Sequence, residues 1–244
     1  MSGTRSPSPK APATEGSLLL VAHGIEGRPG VAADHRDTIA AEGLFAEVRV
    51  GCIKGVPTLD DALDAAPEPV HVVPLLLADG FIMDLVRQRL DGRTDVTLHP
   101  PLGLHDDLVA LLADKAARAC RDAGWRTADT MLLLIGHGTP KHPESGATTE
   151  AAARAIAARG RFADVITAYL DQGSFLADVA RHLTTPTVAV GLFMDEGPHG
   201  RDDVMEALAA ATAPVVYAGP VGTDPAIVPL VLQLARRAVA RTAA

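Results

Sequence analysis

The chain states one pattern twice. Leu18-Leu19-Leu20-Val21-Ala22-His23-Gly24 returns as Leu132-Leu133-Leu134-Ile135-Gly136-His137-Gly138, nearly half of the 244 residues later. A spacing that long marks duplication of a whole domain, because solenoid repeats recur every few tens of residues. In both copies an apolar run without polar alternation reads as a strand buried on both faces, the kind found in parallel sheets covered by helices. Each histidine then stands where the strand runs into a glycine loop. The carboxyl end of a strand is where open α/β sheets bind ligands, so the repeat predicts a fold and singles out His23 and His137.

Further landmarks recur in the same order. Val73-Pro74-Leu75-Leu76-Leu77-Ala78-Asp79-Gly80 parallels Val190-Gly191-Leu192-Phe193-Met194-Asp195-Glu196-Gly197, and Pro101-Leu102-Gly103 parallels Pro220-Val221-Gly222. Between them the spacing predicts strands over 17–22, 47–53, 70–77 and 96–98, then over 131–135, 164–169, 187–193 and 215–217. Helical stretches alternate with these strands, the last opened by Asp224 as N-cap with Pro225 behind it, and Asp202 reads as an N-cap in the same way. Four β-α units per half make the fold α/β: two tandem homologous domains, each a parallel four-stranded sheet flanked by helices. The expected divisions are a disordered Ser/Pro/Thr/Ala-rich tail over 1–16, a first domain over 17–126 and a second over 127–244.

Composition removes several functional classes. A net charge of −8 argues against nucleic acid as a main partner, and no apolar run reaches membrane length. Cys52 and Cys120, one in each half, form neither a CxxC motif nor a disulfide framework, which favours a reducing cytoplasm. There is no Gly-x-Ser-x-Gly elbow, P-loop or arginine before His-Gly, and no Gly-x-Gly-x-x-Gly after the first strand. A hydrolase and a nucleotide cofactor are therefore not expected.

The second half carries two linked signals: His137-Gly138, and Gly197-Pro198-His199 followed by Asp202. Tyr169-Leu170-Asp171-Gln172 with Phe175-Leu176, and Pro57-Thr58-Leu59 with Ala62-Leu63, occupy matching second-strand loops. Over almost the whole chain after residue 17, this order resembles the CbiX-type chelatases in their duplicated, two-domain form, the sirohydrochlorin cobaltochelatases and ferrochelatases. The resemblance implies insertion of a divalent metal into sirohydrochlorin, on the way to cobalamin or siroheme. The metal is then a substrate, cobalt ahead of iron with nickel a third candidate. It also implies that fused halves form one cleft, so that a monomer suffices. The first half departs from the pattern, because Gly80-Phe81-Ile82 places Ile82 where the second half has His199. A two-histidine site can exist only once; the first half is expected to shape the cleft while the second carries the chemistry.

Metallating a tetrapyrrole requires a metal held beside the ring and a base for the departing pyrrole protons. Neutral imidazole serves both needs. His137 and His199 are the expected metal ligands and catalytic groups, at least one of them also a proton acceptor. Glu196 is the expected third catalytic residue, as ligand or proton route. The many carboxylates of sirohydrochlorin need local donors, for which His23, Arg28, Lys141, His142 and Arg201 are the candidates. His35, His71, His99, His105 and His182 are expected to be structural or exposed. The competing reading is a non-catalytic paralogue that holds a tetrapyrrole or metal without turnover, for which Ile82 would be the mark.

Overall fold

A computed structural model of the chain describes residues 14–139 and 146–242. The first half runs β1 (Thr14–Ala22), α1 (Val31–Glu42), β2 (Phe45–Cys52), α2 (Leu59–Asp64), β3 (Val70–Pro74), α3 (Phe81–Leu90), β4 (Val96–Leu98) and α4 (Leu108–Asp122). The second runs β5 (Met131–Gly136), α5 (Ala147–Ala157), β6 (Asp164–Tyr169), α6 (Leu176–Arg181), β7 (Thr187–Gly191), α7 (Asp202–Leu208), β8 (Val215–Pro220) and α8 (Ile227–Thr242). The strands form two parallel four-stranded sheets, ordered β2-β1-β3-β4 and β6-β5-β7-β8. Both orders reverse direction at the central strand. The switch points therefore lie between β1 and β3 and between β5 and β7, where the loops after the strands diverge and leave a crevice.

Alternation along the central strands explains why they read as unbroken apolar runs. Leu18 and Leu20 face a core that also takes in Leu132 and Leu134 of the other half. Leu19 and Val21 face the opposite way, onto Leu59 and Leu63 of α2 and Met83 and Val86 of α3. Leu133 and Ile135 likewise face Leu176 of α6 and Val204 of α7. The molecule is thus layered: α2 and α3, the first sheet, a shared layer holding α1, α4, α5 and α8, the second sheet, then α6 and α7. In α1 the buried positions Ala32, His35 and Ile39 fall on one helical face.

Within the shared layer the long helices are exchanged. Helix α4 closes the first half in sequence, yet packs against β7, β8 and α5; α8 closes the second half and packs against β3 and α1. Each sheet is covered by the other half's last helix.

Three expectations are corrected in detail. The first strand begins at Thr14, inside the stretch read as a tail, because the chain there already pairs with Phe45 of β2; residues 1–13 lie outside the described residues. The third strand stops at Pro74, although Leu75 N still donates to Val21 O at 2.8 Å. Asp202 is the first residue of α7 and makes no capping bond, the cap position falling on Arg201. Asp224 does cap, accepting from Ala226 N at 3.0 Å, and it also pairs with Arg118 of α4.

Candidate metal and substrate site

A cleft of about 890 Å³ opens at the carboxyl ends of the strands and is lined by both halves. His23 reaches it from the loop after β1, His137 from the loop after β5, and His199 from a 3-10 turn, Pro198–Gly200, after β7. The His-Gly pairs owe their form to backbone crowding. Gly138 has φ 68°, and a Cβ there would come within 2.5 Å of Gln172 Cβ; at Gly24, φ 96°, it would come within 1.8 Å of Lys54 O. Only glycine turns the chain this sharply beside its neighbour, and the imidazole before it is left at the carboxyl end of an interior strand.

His137 and His199 come together. Their ring centroids are 4.7 Å apart, edge to face at 75°. Each Nδ1 faces an acceptor: Gly138 O at 2.7 Å for His137, and Asp203 Oδ2 at 2.7 Å for His199. Asp171 Oδ2 also lies 3.7 Å from His137 Nδ1. A carbonyl or carboxylate oxygen has no proton to give, so Nδ1 carries the hydrogen in both rings and the Nε2 lone pairs remain for a ligand. An outer acceptor on a ring N–H is the arrangement that orients metal-binding histidines. No group of three or more His, Cys, Asp or Glu side chains suited to a metal occurs among the described residues. Two imidazoles alone leave coordination positions open, whereas structural sites close all four.

His23 shares the cleft with this pair. Partial burial and the neighbouring Lys54 charge lower its pKa below the ordinary histidine value. Both effects disfavour its protonated form.

Other anticipated residues are placed differently. Glu196, expected beside the two histidines, is absent from the cleft lining and faces Arg201 Nη1 at 3.7 Å. The reason is the turn after β7, which sends the preceding residue inward instead. Asp195 lines the cleft, and its Oδ1 accepts from Val31 N at the start of α1. Burial pushes the Asp195 carboxyl above the usual carboxylate range. Arg28 pairs with Glu26 at 3.0 Å, and neither Arg28 nor Arg201 lines the cleft. Lys141 and His142 lie outside the described residues.

Asp195, Asp203 and Arg87 were not singled out from sequence. Arg87 of α3 grips Asp79 at 2.6 Å and Asp84 at 2.8 Å, two carboxylates of the first-half wall. Asp203 follows His199 by only four residues, but the two lie in different elements, a 3-10 turn and α7, so no helical periodicity marks the pair. A signal existed for Asp195, since its counterpart in the first half is Ala78.

Known proteins resemble this chain over most of its length. The family model CbiX matches residues 17–119 and again residues 131–238. A probable sirohydrochlorin cobaltochelatase of Halobacterium salinarum is 28% identical over 264 aligned positions, covering 90% of each chain. Among solved structures, DR2241 of Deinococcus radiodurans, described as a multi-domain protein with structural similarity to chelatases, is 28% identical with a TM-score of 0.73. It matches 91% of this chain, which spans 55% of its length. A CbiX described as the terminal enzyme for siroheme biosynthesis in denitrifying bacteria is 26% identical, with a TM-score of 0.72 over 91% of this chain and 99% of that one.

Proposed function

Because this chain belongs to the CbiX family, we propose that it is a sirohydrochlorin metal chelatase whose single site lies in the cleft beside His137 and His199. The observation that carries the reading is the imidazole pair itself, with rings 4.7 Å apart and both Nδ1 atoms engaged. The two Nε2 atoms hold a divalent metal; water and then pyrrole nitrogens take the remaining positions. Once a metal occupies those lone pairs, His137 and His199 cannot accept pyrrole protons. His23, the third imidazole lining the cleft, is the base we assign. Two protons leave for each metal inserted, so His23 takes each in turn and releases it to water. Glu196 keeps a remote part at most, as partner of Arg201.

Cobalt is the metal we assign first. The support is the name of the Halobacterium relative; two imidazoles by themselves accept iron or nickel as well. The test is anaerobic: sirohydrochlorin with Co²⁺ or Fe²⁺, followed by visible absorbance with and without protein. The unsubstituted chain accelerates metallation, fastest with Co²⁺. His137→Ala and His199→Ala each lose about 10²-fold or more of that acceleration, the scale on which a positioned catalytic group or metal ligand acts. Binding without acceleration by the unsubstituted chain would overturn the reading in favour of a tetrapyrrole-holding protein.

A further inference from the structure

Around the turn that carries His199, the two halves differ together. Counting from the shared glycines, Gly80 and Gly197, Ile82 stands at the position of His199 and Met83 at that of Gly200. The paired loops place Pro74 at the position of Gly191. Strand register adds a fourth difference: Leu98 lies beside Val72, and Tyr217 beside Ala189, the residues just before the matched Val73 and Val190. The half that lacks the second histidine thus also lacks Gly191, Gly200 and Tyr217.

In the second half these residues meet. The Tyr217 hydroxyl donates to Gly200 O at 2.6 Å, tying β8 to the 3-10 turn Pro198–Gly200. A Cβ at Gly191 would come within 2.5 Å of that hydroxyl oxygen, and one at Gly200 would collide with Asp195 O. One glycine leaves room for the phenol, and the other lets the turn lie close against its own loop. Burial, reinforced by the nearby Glu196 charge, raises the Tyr217 pKa above its ordinary value, so the hydroxyl keeps its proton and donates. Tyr217 does not itself line the cleft, whereas Gly200, whose carbonyl it holds, follows directly on His199.

We propose that Tyr217 is a positioning residue of the metal site: through Gly200 it fixes the turn on which His199 stands, and so aims that imidazole at His137. The inference rests on the chelatase reading and names what holds the pair ready before metal arrives. His199 is secured twice, at the ring by Asp203 and at the backbone by Tyr217. A ligand pair fixed in advance loses less freedom when the metal binds. Leu98, in the matching place of the first half, has no group to donate.

Tyr217→Phe removes the hydroxyl and keeps the ring. Co²⁺ affinity, measured by calorimetry without tetrapyrrole, falls about 10-fold, the lower end of what loss of an outer partner costs a metal site. The visible bands of bound Co²⁺ shift as well, because the imidazole geometry around the metal changes. Thr130→Val is the matched control: it too deletes a hydroxyl that donates to a backbone carbonyl, Arg126 O at 2.8 Å, just before β5 and away from the cleft. That variant keeps the Co²⁺ affinity and bands of the unsubstituted chain. Unchanged affinity and bands in Tyr217→Phe would overturn the positioning role and leave the chelatase reading standing. Equal weakening in Thr130→Val would also overturn it, because general loosening of the fold would then be the cause. If the unsubstituted chain does not bind Co²⁺, or His137→Ala and His199→Ala bind it equally well, the metal site assigned to the pair falls and the role of Tyr217 with it.

Discussion

Two buried imidazoles, on β3 and just after β4, meet at 3.3 Å: His71 Nδ1 and His99 Nε2. One nitrogen must donate and the other accept, so the contact survives only while the facing atoms share a single proton. Burial pushes His99 down to about 4, the neighbouring His71 adds to that, and burial lowers His71 as well. An imidazole whose folded pKa lies below its unfolded value of about 6.5 binds more protons when unfolded. Its contribution to stability is therefore intact above pH 6.5 and is lost as pH falls toward 4. For His99 the loss is on the order of 3 kcal/mol when complete. Urea unfolding at pH 7.5 and pH 5 should show a stability drop of about 2 kcal/mol, and His99→Gln should flatten it; an equal drop in the variant would contradict this account. The sequence leaves both histidines as structural or exposed, and burial decides for the first. Their pairing was not legible, because it depends on β3 and β4 lying side by side. The cleft residues divide the same way. His137 stands out because the repeat points to it, and His199 because Gly197-Pro198-His199 with Asp202 after it resembles the family pattern. Asp195 and Glu196 are adjacent acids, and only the direction of a turn decides which faces the cleft.

Among the elements, α1 has an unusual start. Its cap residue, Gly30, has no side chain to offer, and the Val31 N–H is met by Asp195 from the other half. A carboxylate at a helix N-terminus satisfies an orphan donor and complements the dipole. Asp195→Ala should cost about 1–2 kcal/mol in urea unfolding, while Asp195→Asn, which keeps an acceptor oxygen, should cost less than half of that. Equal losses would mean that charge rather than the hydrogen bond holds the helix start. Strands were readable as elements because a strand buried on both faces has no polar positions to obscure it. The cover of each sheet was not readable, since α4 and α8 have similar apolar stripes and nothing local specifies which sheet either meets.

At the scale of the whole molecule, the exchange of α4 and α8 makes the halves mutually dependent. Leu108, Leu112 and Ala116 of α4, and Ile227, Val231 and Ala235 of α8, are almost fully buried, and each set packs largely in the other half. Segments 17–126 and 127–244 produced separately should each lack the helix that covers their sheet. Each should show exposed apolar surface by dye binding, and mixing the two should restore a single cooperative unfolding transition. Independent, stable folding of either segment would show that its own last helix can cover its own sheet.

The same exchange decides how the molecule bears load. Strand β1 lies in the first sheet, and α8, at the far end of the described chain, packs on β3 of that sheet. A tether pulling on both ends would shear α8 across the first sheet. Most of the second sheet would hang outside the line of force, as an inserted loop does, and the wall that carries the histidine pair would be the last to feel the strain.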